Sequence, residues 1–214
     1  FFERPVSLVL EAHDDLRNRR RYLNARATLN ELLALGALPV INENDTVSVD
    51  ELKLGDNDNL AAVIAALVDA DVLFIATDID GFHTANPRSS ADARPIEDVE
   101  ALTPEFFAMA GEAGSSVGTG GMRTKLEAAA KAAAAGIETF LFNGTRAEAV
   151  RALAQGNFQG TRFRPAQNRV AARKYWLRNV PLENGGIIVD SGAARAMAEK
   201  GASLLPGGVI AAEG

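Results

Sequence analysis

Cysteine is absent from the 214 residues. Disulfides, thiolate nucleophiles and cysteine-held metals are therefore excluded, and the usage agrees weakly with a reducing compartment. Histidine occurs only as His13 and His83, too little imidazole for a zinc cluster and an unpromising basis for acid–base catalysis. No apolar run reaches the roughly 18 residues that a membrane-spanning helix needs. Excess positive charge is lacking too. The net charge of −6 at pH 7 argues against nucleic acid as the main partner of the whole chain, while leaving room for a local patch. There is no initiating methionine: the chain opens on Phe1-Phe2-Glu3-Arg4, so an upstream segment, with any targeting signal, is expected to lie outside it. What remains for chemistry is Asp, Asn, Lys and backbone amide.

Hydrophobic residues make up 47% of the chain, enough for a globular protein of one or two domains. The strongest local signal is Gly118-Thr119-Gly120-Gly121-Met122-Arg123-Thr124-Lys125, a glycine-rich loop running into the alanine-rich stretch 126–135. That stretch is a strong helix former, and Gly136 is its expected stop. A loop feeding a helix N-terminus presents unpaired N–H groups and the positive end of the helix dipole, so it can hold phosphate. Lys125 fits that use, because a cation near the first turn opposes the dipole by about 0.3–1 kcal/mol and a bound anion removes the penalty. A flexible connector with a solvated lysine explains the same residues. The stretch has neither the Gly-Lys-Ser/Thr of a P-loop nor the glycine spacing of the dinucleotide fingerprint.

Along the chain, Pro5 to Leu10 reads as a strand. Asp14-Asp15 leads into a helix with Leu23, Ala27, Leu29, Leu32, Leu33 and Leu35 at near-helical spacing before Gly36. Arg17, Arg19, Arg20 and Arg21 suit a solvated or interface face. Leu38 to Ile41 is a short buried strand ending in Asn42-Glu43-Asn44-Asp45. Gly55-Asp56-Asn57-Asp58-Asn59 precedes a helix from Leu60 to Ala70, with one of those Asp or Asn side chains as its cap. Asp71 to Ala76 is a continuous apolar run, as in a strand covered on both faces, and ends in Thr77-Asp78. Gly81 to Glu100 reads as a long ordered loop. Ile137 to Phe142 is another strand, ending in Asn143-Gly144, and Ala147 to Leu153 another helix.

Alternation of this kind implies parallel βαβ units and a layered α/β domain. Three strands end in polar clusters, at Asn42 to Asp45, Thr77-Asp78 and Asn143-Gly144. Ligands bind outside the carboxyl ends of strands in open α/β sheets, so these clusters and the glycine loop are expected to face one crevice. After Gly160, Arg162, Arg164, Arg169, Arg173, Lys174 and Arg178 interleave with Phe163, Tyr175 and Trp176 without an acidic residue up to Val180. The mixture is RNA-like, but a solvated interdomain segment fits an acidic whole better. Gly186 to Asp190 reads as a strand, Ser191 as the cap of a helix to Lys200, and 203–209 as a turn and strand, part of a small second domain.

Five motifs, Ile41 to Asp45, Gly55 to Asn59, Thr77-Asp78, Thr84-Ala85-Asn86-Pro87-Arg88 and Gly118 to Lys125, follow the order and spacing of the amino-acid kinase family, and the chain resembles its glutamate 5-kinase branch. One motif is weak; five in register are strong. Asn86 stands where the pattern usually has Asp. The resemblance implies a layered αβα kinase domain with a mainly parallel sheet over 1–165, lacking its N-terminal part, then a linker at 166–185. Residues 186–214 would be part of a β-rich PUA-like domain. It further implies a cytoplasmic homo-oligomer, dimer or tetramer, that uses ATP and Mg²⁺ to phosphorylate the side-chain carboxylate of L-glutamate in proline synthesis. On the matching positions Asp45 and Asn57 would bind glutamate with Asn42 close by. Thr77, Asp78, Thr119, Gly120, Gly121, Met122, Arg123, Thr124 and Lys125 would hold ATP. Lys125 would also neutralise the transferring phosphoryl group, and Asp58 would orient lysines and metal-bound phosphates. Read as residues alone, Asp45 and Asn57 suit turn formation and helix capping better. Acetylglutamate, aspartate and nucleotide kinases are the neighbouring readings, and an RNA-binding PUA protein is the one from another class.

Overall fold

The computed structural model describes residues 3–12, 16, 18–44, 57–111, 121–166 and 186–213. The chain divides into two compact units, Phe1–Arg178 and Asn179–Gly214.

In the first unit β1 (Val6–Glu11) and β2 (Leu38–Glu43) pair in parallel, joined through α1 (Arg19–Ala34). Asp14-Asp15 lie outside the described residues. Asn18 is the cap of α1, accepting from the backbone N–H of Arg20 at 3.0 Å and of Arg21 at 3.2 Å, donors that a first turn otherwise leaves open. Tyr22, Ala25 and Leu29 form the buried face, whereas Leu23, Leu33 and Leu35 are exposed. The leucine spacing thus marks a wider stripe than the core uses. Gly36, with φ of 73°, follows the last turn. Leu38 and Val40 on β2 are also exposed, as are Val6, Leu8 and Leu10 on β1, so this strand pair is covered on one face and not, as expected of β2, buried.

The second helix, α2 (Asn57–Leu67), begins three residues before Leu60 and ends short of Ala70, where Asp69 takes a φ of 55°. Asn57, Asp58 and Asn59 therefore stand in the first turn itself, where Asp58 complements the helix dipole. β3 (Val72–Thr77) is not covered on both faces. Leu73 and Ile75 point into the core, while Phe74 is 49% exposed and stacks on Phe140 with centroids 5.5 Å apart. An unbroken apolar run hid an alternation because its outward positions carry Phe and Ala.

The 81–100 segment is ordered and contains strands that its sequence did not announce. β4 (Phe82–His83) pairs antiparallel with β5 (Pro95–Ile96), and β6 (Asp98–Val99) follows. Next come α3 (Pro104–Met109), α4 (Met122–Ala134), β7 (Glu138–Asn143), α5 (Ala147–Ala154) and β8 (Thr161–Phe163). The sheet runs β3-β7-β8-β6, with β3 parallel to β7, β6 parallel to β8, and β8 antiparallel to β7. Three residues are too few to show a period, which is why β8 was illegible. Gly136, with φ of 79°, follows α4 as expected.

The core that positions the site lies between α2 and α4. Ala62, Ala65 and Ala66 of the first and Leu126, Ala128, Ala129 and Ala132 of the second are buried in one cluster with Leu73, Ile75 and Leu141. Small side chains let two helices approach closely and fix their relative register. α2 also contributes Leu60 and Leu67 to a second cluster with Leu16, Tyr22, Ala25 and Leu29. It is the element shared by both cores.

The second unit is described from residue 186. β9 (Gly186–Val189) pairs antiparallel with β10 (Val209–Glu213), and α6 (Ser191–Lys200) lies between them in sequence. Asp190, not Ser191, is the cap of α6, accepting from Ala193 N–H at 2.7 Å. The expected linker lies, beyond residue 166, outside the described residues. Among the described residues no helix is long and apolar enough to cross a membrane.

Candidate functional site

The alanine faces of α2 and α4 bring the heads of the two helices together. Asp58, in the first turn of α2, accepts a hydrogen bond from Lys125 Nζ at 2.7 Å although the residues are 67 positions apart. Their side chains are 18% and 13% exposed. Thr124 Oγ1 donates to the Gly121 carbonyl at 2.7 Å and lies 3.4 Å from Asp58 Oδ2. Deeper in the same interface Lys131 Nζ donates to Asn59 Oδ1 at 2.6 Å. In an ion pair this shielded, removal of one partner strands the other, which costs about 3–5 kcal/mol when burial is complete and less where some water remains.

The glycine stretch differs from its sequence reading in one respect. α4 begins at Met122, so Met122, Arg123, Thr124 and Lys125 make up its first turn and are not loop. Gly121 is the N-cap and supplies no side-chain capping bond, and the first turn has no acidic residue. Its N–H donors and dipole are thus served by no carboxylate of their own helix. Of the residues assigned to the turn, Lys125 and Thr124 meet Asp58. Arg123 instead pairs with Glu127 at 3.2 Å, and Met122 packs against the core.

A second group forms at the carboxyl end of β3. The parallel register sets Thr77 opposite Asn143, so two of the three strand-end clusters lie side by side. Asp78 accepts from Arg88 at 2.5 Å, and this bond holds its carboxyl below the usual range. Arg88 is placed by Asn86, whose side chain accepts from Arg88 N–H at 2.9 Å and whose carbonyl accepts from the N–H groups of Ser89 and Ser90. Asn86 thus forms the turn that presents Arg88. Arg88 is a candidate that sequence reasoning quoted within a motif without giving it a role. Its signal was the arginine after Asn86-Pro87, a turn dipeptide.

The third cluster belongs to the separate β1-β2 sheet. Asn42 is exposed on β2, opposite Leu10. Asn57 is exposed and lines a groove of about 280 Å³ with Pro39, Ile41, Leu60, Ala61 and Ile64. Asp45, Thr119 and Gly120 fall outside the described residues. Among the described residues no three His, Asp or Glu side chains converge. In the basic segment Arg162 is bound by Glu138 at 2.5 Å and Arg164 by Asp98 at 2.7 Å. The bond from Arg164 also lowers the Asp98 carboxyl and raises its own guanidinium. Both arginines are therefore engaged by carboxylates, and Arg169 to Arg178 lie outside the described residues.

The model of the amino acid kinase family matches residues 4–143. Among curated proteins the chain is 75% identical over 214 residues to a glutamate 5-kinase of Xanthomonas oryzae pv. oryzae (strain KACC10331 / KXO85), covering 100% of this chain and 59% of that protein. It is 68% identical to a glutamate 5-kinase of Xylella fastidiosa (strain M23), again over all of this chain and 56% of that protein. The chain thus spans somewhat more than half the length of these relatives. Among solved structures, an isopentenyl phosphate kinase substrate complex aligns with a TM-score of 0.51 at 21% identity, over 76% of this chain and 61% of that one. That likeness concerns the fold alone.

Proposed function

The chain belongs to the amino acid kinase family, and from that premise we propose that its full-length gene product phosphorylates the side-chain carboxylate of L-glutamate with ATP, giving glutamyl 5-phosphate for proline synthesis. The observation that carries the reading is the Lys125–Asp58 pair, 2.7 Å long, at the joined heads of α2 and α4. The 75% identity to a protein named glutamate 5-kinase supports the choice of acceptor.

A glutamate carboxylate has a pKa of about 4.3 and is ionised at neutral pH, so it needs no general base. A site without cysteine, in a chain with two histidines, suits such a reaction. The difficulty is electrostatic, because an anion must approach a polyanion. Catalysis then consists of positioning and of cationic and N–H stabilisation. Lys125 stands where the helix dipole is also positive, and its ammonium group would meet the transferring phosphoryl group. Asp58 holds that ammonium in one place. The first turn of α4, with Thr119 to Thr124, would bind the nucleotide phosphates, and Thr77-Asp78 another part of ATP. Asp45 would pair with the α-ammonium of glutamate, and Asn57, with Asn42 close by, would donate to a carboxylate. A magnesium ion would supply positive charge against the phosphates, and Asp58 would help to orient the phosphates that carry it. A cytoplasmic homo-oligomer and a PUA-like identity for the second unit belong to the same proposal.

The acceptor is tested by ADP release from the full-length gene product with glutamate, aspartate, N-acetylglutamate or UMP. Glutamate is expected to exceed aspartate in kcat/KM by about 10–200-fold, the span that one methylene can supply, and by more over the others. Equal turnover with aspartate or UMP overturns the assignment.

A further inference from the structure

The turn after β7 grips the loop after β3 by contacts of three kinds. Gly144 N–H donates to the Thr77 carbonyl at 2.9 Å. Asn143 Nδ2 donates to Asp80 Oδ1 at 2.9 Å, and Arg146 reaches both oxygens of Asp80, at 3.0 and 2.9 Å. Asn143 is itself fixed, being 8% exposed and accepting from the N–H and hydroxyl of Thr145 at 3.1 and 2.6 Å. A Cβ on residue 144 would come within 2.6 Å of Ala76 Cβ, so glycine is what permits the approach. The Asp80 carboxyl is drawn down first by the Asn143 amide and then by the Arg146 guanidinium, which agrees with a charged acceptor at the centre of the grip. On its far side the loop is tied as well, by Gly81 N–H to the Ile79 carbonyl and by Phe82 N–H to Thr161 Oγ1 at 2.7 Å.

We propose that Asn143, Gly144 and Arg146 are positioning residues for nucleotide, clamping the 77–81 loop through the Thr77 carbonyl and the Asp80 carboxylate so that Thr77 and Asp78 are set before ATP arrives. The proposal rests on the reading of Thr77 and Asp78 as nucleotide contacts. A loop ordered in advance loses less freedom on binding, and affinity rises accordingly. The two anchors on Asp80 are unequal. Arg146 and Asp80 are exposed, so their attraction is screened by solvent and salt. Asn143 is buried, so the loss of its partner is less readily made good by solvent. Its loss should therefore weigh more.

The test uses the full-length gene product, with the dissociation constant of ADP measured by calorimetry and melting temperature recorded for each variant. Asn143→Asp places a carboxylate against Asp80 and is expected to weaken ADP by about tenfold or more, the effect of losing one charge-assisted bond. Arg146→Ala should cost only about two- to threefold, and less at high salt. The exchange Asn143→Asp with Asp80→Asn restores an amide–carboxylate bond in the opposite sense, and ADP binding should return to within about threefold of the parent. The KM for the acceptor should stay within about twofold throughout. A merely structural role would lower melting temperature without separating nucleotide from acceptor. A folded Asn143→Asp variant that binds ADP as the parent does, or an exchange variant that binds no better than Asn143→Asp, overturns the clamp. A parent that binds ADP but leaves glutamate unphosphorylated removes the acceptor assignment, and with the same order of variants it still supports the clamp.

Discussion

At Lys125 the expected consequence of losing the ammonium group is kinetic. Lys125→Ala deletes a cation whose interaction strengthens as charge moves during phosphoryl transfer. The full-length enzyme should lose about 10²–10³ in kcat, the range seen for a single transition-state donor, with a smaller change in the KM for glutamate. Asp58→Asn keeps shape but removes the charge that fixes Lys125 at 2.7 Å, and its effect should fall on kcat as well. The double variant should be little worse than the worse single one, because parts of one constellation are not additive. Circular dichroism separates this from unfolding, which matters for a pair this shielded. Near-normal turnover in Asp58→Asn would reduce Asp58 to a charge at a helix head. The pairing itself could not be read from sequence, since Asp58 and Lys125 were placed in one site by motif order alone. Arg88, Asp80 and Arg146 escaped for the same reason: each is an ordinary surface charge until the fold supplies its partner.

Among the elements, the alanine helix was legible because its propensity is strong and uninterrupted, although its start lay four residues earlier than Leu126. Arg123 and Thr124 are neutral as signals, and only the cap geometry at Gly121 shows that the turn begins there. Short strands were missed where contacts, not composition, define them. β8 is held by such a contact. Gly160, just before it, has a φ of 148°, and a Cβ there would lie 2.1 Å from the Leu141 carbonyl oxygen. Gly36 has a φ of 73° but open space around it. Gly36→Ala should therefore cost only backbone strain, about 1–2 kcal/mol. Gly160→Ala should add the cost of forcing β7 and β8 apart, about 1–3 kcal/mol more. Thermal unfolding ranks them, at about 2–4 °C per kcal/mol for a protein of this size. A Gly160→Ala variant as stable as Gly36→Ala would contradict the close approach.

For the whole molecule, α/β class and sheet direction followed from alternating apolar runs, and the family followed from five motifs in register. Exposure of the strand faces did not, because an apolar run does not say which side will be covered. Val6, Leu8, Leu10, Leu38 and Val40 leave an apolar face open on the β1-β2 pair, and among the described residues β2 pairs only with β1 and β3 only with β7. Open edges and apolar faces recruit other chains. The isolated 214-residue chain, which spans 59% of the Xanthomonas relative, is expected to self-associate and to show little kinase activity. Light scattering and an ADP assay on the purified chain check this, and a monodisperse, fully active chain would refute it.

In the proposed reaction a carboxylate oxygen of glutamate attacks the terminal phosphorus of ATP. It is tested most directly with glutamate carrying oxygen-18 in its side-chain carboxylate, turned over by the full-length gene product in the presence of hydroxylamine. Hydroxylamine attacks the acyl carbon of the product, giving the hydroxamate and releasing phosphate with the bridging oxygen still attached. Phosphate that carries one oxygen-18 is expected, with hydroxamate in equal amount. Unlabelled phosphate without hydroxamate would mean that water was the acceptor, and would contradict that reaction.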